Sequence, residues 1–139
     1  MPTRSLPTVI GPTENALRAL LTATLSTTRI DGYVAWVVLN AVSRAQSGDW
    51  RPATAKALKV PQSVVDDVAE RLERDGLLTG AGVLTDDGTR ELEAARSAVA
   101  RATSRVVAGI DDADQEQARR TLDQIRRNAE AELMKLSTG

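Results

Sequence analysis

The side chains best suited to chemistry lie in the first half of the chain. Tyr33, Trp36 and Trp50 are its three aromatics. Tyr33 and Trp36 stand three apart, so on a helix they share a face, and Asn40 lies one turn beyond Trp36 on it. Two ring systems and an amide can hold a flat, partly polar molecule. Equally, Trp36 can fill a core while Tyr33 covers its edge. Just downstream, Arg44, Arg51, Lys56 and Lys59 are close enough in sequence to hold phosphate oxygens together, or to form an ordinary solvated helix face.

Catalysis finds little to build on. The chain has no His and no Cys, which removes Ser-His-Asp triads, Cys-His pairs, disulfides and the common zinc sites. The acidic pairs Asp66-Asp67, Asp86-Asp87 and Asp111-Asp112 are neighbours in sequence, and neighbours on a helix do not face each other. Helix capping and solvation are their expected roles. Gly80-Ala81-Gly82 runs into Val83-Leu84 and not into a helix with a Lys at its start, so it is no phosphate loop. The expectation is a protein without catalytic residues, metal or cofactor.

The elements that position these residues read as mainly helical. Residues 1–11, with Pro2, Pro7 and Gly11, are expected to be a loose arm, with Pro12 opening a first helix that carries Ala16, Leu17, Leu20, Leu21 and Leu25 at helical spacing. A second helix is expected from Asp31, as its N-cap, to about Ala45, closing an N-terminal helical region over 12–46. Ser47-Gly48-Asp49 reads as a turn. Two short helices follow, from about Pro52 to Leu58 and from about Pro61 to Asp75, with Gly76 as the stop. The tight connection at Lys59-Val60 marks a helix-turn-helix. Leu77–Thr79 and Val83–Thr85 flank the Gly-rich turn as a small hairpin, in the place of a wing. The winged helix-turn-helix thus spans 50–85.

From 86 to 136 the chain reads as helical again. A long helix carries Leu92, Ala95, Val99, Ala102 and Val106, with Ile110 next in the stripe, and breaks at Gly109. A last helix has the stripe Ala118, Leu122, Ile125, Ala129, Leu133 and Leu136. One small domain cannot easily cover both stripes. The terminal helices are therefore expected to form a dimerisation region, the alternative being a helix pair packed on its own domain.

Composition fits this picture. At 139 residues with 42% hydrophobic and 27% charged, the chain is sized for one globular domain. With 2% aromatics and no Phe, its core must be Leu, Val, Ile and Ala. The net charge of −1 argues mildly against nucleic acid as a partner. The start of the chain has no apolar signal segment, and Tyr33–Val42 is too short to span a bilayer. A cytoplasmic protein with no membrane partner is expected.

Three strings, in this order of elements, carry a resemblance. Ala53–Val60 (ATAKALKV) looks like an "ELAxxLgV" segment, Val65–Leu78 (VDDVAERLERDGLL) like a recognition helix with a "V…RLE…GLL" pattern, and Leu84–Leu92 (LTDDGTREL) like an "LTxxGRxLL" helix start. Over about residues 13–136 the chain resembles the MarR family of winged helix-turn-helix transcriptional regulators. The resemblance implies a homodimer joined through its first and last two helices. Each subunit would place one helix in a major groove of double-stranded DNA, and a small-molecule pocket, lined by the second helix, would modulate affinity. It gives Arg44, Arg51, Lys56 and Lys59 the role of phosphate contacts. Gln62 and Ser63, at the start of the recognition helix, become candidates for base edges, and Asp67 for the amino group of cytosine. Tyr33, Trp36 and Asn40 become candidates for the ligand, a small aromatic molecule.

Two places depart from the family pattern. Pro61–Asp75 holds two Arg against five acidic side chains, and the wing Thr79–Val83 has no charge. Acidic groups near phosphates cost binding. Three readings stay open: a ligand-responsive DNA-binding regulator, a small-molecule-binding protein that kept the fold and gave up DNA, and an enzyme in that pocket resting on Tyr33, carboxylates or Arg.

Overall fold

The computed structural model describes residues 5–45 and 49–138. Among these, the helices are α1 (Leu6–Leu25), α2 (Tyr33–Arg44), α3 (Trp50–Leu58), α4 (Gln62–Arg74), α5 (Asp86–Val106) and α6 (Asp112–Thr138). None is long and apolar enough to cross a membrane. The chain forms two compact units, one running up to Ala102 and the other beginning at Thr103.

In the first unit, α1 starts at Leu6, so the expected arm is already helical over 6–11, while residues 1–4 lie outside the described part. Pro7 sits in the first turn, where a missing N–H is no loss. Pro12 falls inside the helix, and water can serve the exposed Thr8 carbonyl that Pro12 has no N–H to reach. Helix α2 begins at Tyr33 and not at Asp31. Its N-cap is Gly32 at φ 96°, a left-handed angle that glycine adopts freely, and no side chain caps it.

The helix-turn-helix follows. The Asp49 carboxylate accepts from the Arg51 amide at 3.1 Å, so α3 opens at Trp50, with Pro52 in its first turn. Ser47 and Gly48 of the expected turn lie outside the described residues. Helix α3 ends on Lys59, held at φ 60° and ψ 41°. The Lys59 amide donates to the Lys56 carbonyl at 3.2 Å and the Val60 amide to that of Ala55 at 3.1 Å. This reverses the chain so tightly that Pro61 already caps α4. Helix α4 turns Val65, Val68, Ala69 and Leu72 inward at helical spacing and stops at Gly76, φ 79°.

The expected β-hairpin is reduced to a turn with one antiparallel bridge, Leu78 to Leu84. The Thr79 amide donates to the Val83 carbonyl at 2.8 Å and Thr85 to Leu77 at 3.1 Å, but no strand forms among the described residues. Thr79–Val83 offers few cross-strand side chains to stabilise a longer ladder. Thr85 then joins three elements. Its hydroxyl donates to the Gly76 carbonyl at 2.6 Å and accepts from the Gly88 amide at 2.9 Å, capping α5. Gly88 lies so close to the Leu77 carbonyl that a Cβ there would overlap it. The core beneath is aliphatic: Leu25, Ile30, Leu39, Leu72, Leu77 and Leu92 are almost wholly buried, each worth about 2 kcal/mol of transfer free energy.

The second unit contains α6, reached through the break at Gly109, φ 82°. No residue of α6 is buried. Its apolar stripe is in solvent, with Leu122 and Leu133 each 50% exposed and Leu136 80%.

Candidate functional site

Inward-facing Val65, Val68, Ala69 and Leu72 fix the rotation of α4, so Gln62, Ser63, Asp66, Asp67, Glu70 and Arg74 are exposed. Lys56 lies in the last turn of α3 and Lys59 forms the turn, both exposed, and the Lys59 ammonium donates to the Lys56 carbonyl at 3.3 Å. Arg44 is exposed at the end of α2, where it borders a groove of about 340 Å³ between α2 and α3 with Val37, Ala41, Trp50, Ala53 and Ala57. Lys56, Lys59, Gln62, Ser63 and Asp67 are thus all exposed on the helix-turn-helix, and the exposed charges of α4 are four carboxylates against Arg71 and Arg74.

Arg51 stands apart from these cations. It is only half-exposed: its guanidinium stacks over the Trp50 ring at 4.8 Å and meets Asp66 of α4 at 3.5 Å and Asp49 at 3.7 Å. The Trp50 indole N–H donates to the Gly82 carbonyl of the wing turn at 3.3 Å. Sequence reasoning singled out Trp50 only as an aromatic. Its bond to the wing spans 32 positions, a separation no local pattern reports.

The three residues proposed for a flat ligand lie on α2, and each has a partner. The guanidinium of Arg18, from α1, stacks over the Tyr33 ring at 4.4 Å. Trp36 packs against the core. The Asn40 amide donates to the Trp36 carbonyl at 2.8 Å and accepts from Arg96 of α5 at 2.9 Å, while the same Arg96 reaches the Ser43 hydroxyl at 3.1 Å. None of the three lines the α2–α3 groove. Arg18 and Arg96, which the sequence did not bring forward, flank this face of α2. Among the described residues no group of three or more His, Cys, Asp or Glu is placed to hold a metal.

No family model matches the chain, and no curated protein matches it in sequence. Solved structures do match in shape. A MarR-family transcriptional regulator from Rhodococcus sp. RHA1 is 23% identical with a TM-score of 0.75, over 88% of this chain and 95% of that one. The MarR-family protein Rv2887 of Mycobacterium tuberculosis, solved in complex with DNA, is 22% identical with a TM-score of 0.74, over 88% and 98%. The same protein in complex with salicylic acid gives 23% and 0.70, again over 88% and 98%. The chain has the winged-helix fold of the MarR-family regulators.

Proposed function

We propose that the protein is a homodimeric, DNA-binding transcriptional regulator whose affinity for its operator responds to a small aromatic ligand. The observation that carries this is the helix-turn-helix: α4 is held by one face only and offers the other, beginning with Gln62 and Ser63, next to the exposed ammonium groups of Lys56 and Lys59. Gln62, Ser63 and Asp67 face base edges in the major groove, and Lys56, Lys59 and Arg44 contact phosphates. Rv2887, which shares the fold, binds DNA.

The second copy is called for by the terminal helices. Leu6, Val9, Leu17 and Leu20 of α1 are each at least 40% exposed, and α6 buries nothing along its 27 residues. A second subunit covers both stripes by two-fold symmetry. The ligand site is the α2 face with Tyr33, Trp36 and Asn40. A flat molecule carrying an acid group would stack on the rings and draw Arg18 and Arg96 from their present partners, and salicylic acid is bound by Rv2887.

Fluorescence anisotropy of a labelled duplex from upstream of the protein's own coding sequence tests the reading. The expected result is salt-sensitive binding that Lys56→Glu with Lys59→Glu abolishes. No binding by the unmodified protein at low salt removes the DNA reading. It would favour the second one, a ligand-binding protein without DNA, which the acidic outer face of α4 and the uncharged wing support.

A further inference from the structure

The resemblance implies a phosphate contact at Arg51, a side chain that in this structure already has three protein neighbours. Its guanidinium lies between two carboxylates, Asp49 at 3.7 Å and Asp66 at 3.5 Å, so the three groups together carry a net negative charge. A cation so shared adds no surplus positive charge for a phosphate. Its plane also covers the Trp50 ring at 4.8 Å. Trp50 in turn binds the wing through its indole N–H and the Gly82 carbonyl, 3.3 Å apart.

The wing turn is built to lie against this pair. Gly82 is buried and sits at φ 76°, and a Cβ on it would come within 3.4 Å of Trp50 Nε1 and 3.6 Å of Arg51 NH2. The wing has little rigidity of its own, because one bridge and a few turn bonds hold it. The start of α3, the second turn of α4 and the wing tip therefore converge on two adjacent side chains.

We propose that Arg51 is a positioning residue and not a phosphate contact: with Trp50 it fastens the wing turn and Asp66 of α4 to the start of α3. The proposal deepens the DNA-binding reading, since wing and α4 then meet the duplex as one preorganised body.

The experiment uses the full chain with Arg51→Gln, Asp66→Asn and the double variant, all surface changes that spare the core. Hydrogen exchange without DNA is read at the Thr79 and Gly82 amides, which close the wing turn. Arg51→Gln is expected to speed exchange there about five-fold, the scale of one exposed ion pair with its stacking contact, and Asp66→Asn, which breaks the pair and leaves the stack, by a smaller factor. The double variant exchanges no faster than Arg51→Gln alone, because without Arg51 the Asp66 carboxylate has no part of the link left to lose. Exchange at Leu92 in α5 stays as in the parent. In the second arm, the slope of log affinity against log salt for duplex is expected to be unchanged in Arg51→Gln while affinity drops at every salt concentration. A slope smaller by about 0.9 would mark a direct phosphate contact and overturn the proposal. So would wing exchange that Arg51→Gln leaves at the parent rate. If the parent binds no duplex, the DNA-binding reading falls, and the exchange arm alone decides the link.

Discussion

Gly88 and the carbonyl of Leu77 are in contact so close that no side chain fits between them. This contact seats the first turn of α5 on the exit from α4, and Thr85 secures the same junction from Gly76 to Gly88. The stretch Leu84–Gly88 (LTDDG) therefore has a physical meaning: a cap, two acidic residues at the positive end of the helix, and a glycine where backbones meet.

Gly88→Ala must push the two backbones apart. Overpacking of this kind costs about 1–3 kcal/mol. Urea unfolding is expected to show a lower midpoint with an unchanged slope. A midpoint equal to the parent's would mean that α5 is seated elsewhere.

Lys59 holds a left-handed angle that an L side chain resists, at a cost of about 1–2 kcal/mol. Lys59→Gly is expected to raise the thermal midpoint by about 3 °C. The same change removes a proposed phosphate contact, so the salt slope of duplex binding should fall by about 0.9. Stability and affinity move in opposite directions, a pairing that loss of folding cannot mimic.

The exposed stripe of α6 gives a third expectation. Leu122→Asp with Leu133→Asp, at two positions that are each 50% exposed, should turn a dimer into a monomer in sedimentation while the helical circular dichroism persists. A parent protein that sediments as a monomer at micromolar concentration contradicts the dimer.

Salicylate, as a small aromatic acid, should raise the thermal midpoint of the parent, and Trp36→Ala should abolish the rise. An equal rise in the variant would place the ligand away from α2.

Much of this architecture was legible because it is local. The α4 stripe of Val65, Val68, Ala69 and Leu72 follows one period, and the Gly76 stop follows from its left-handed angle. The start of α1 was not legible, since Pro2, Pro7 and Gly11 read as a loose arm and Pro12 as the opening of the helix, whereas Pro7 takes the first turn and Pro12 falls on a solvated face inside it. Asp31 reads as a cap because aspartate is a common one, whereas Gly32 makes the turn by backbone angle alone. The site was harder to read. Arg51 stood in sequence as one of four equivalent cations, and only its placement beside Asp49 and Asp66 separates it from Lys56. The Asn40–Arg96 bond joins positions 56 apart, beyond any helical or strand period.

If two copies of α4 read one duplex, selection from a random duplex library at low salt will show it. The expected result is enrichment of a pseudo-palindrome with half-sites about one helical turn apart, roughly 10 base pairs. Recovery of no preferred sequence, or of single unpaired half-sites, would contradict it.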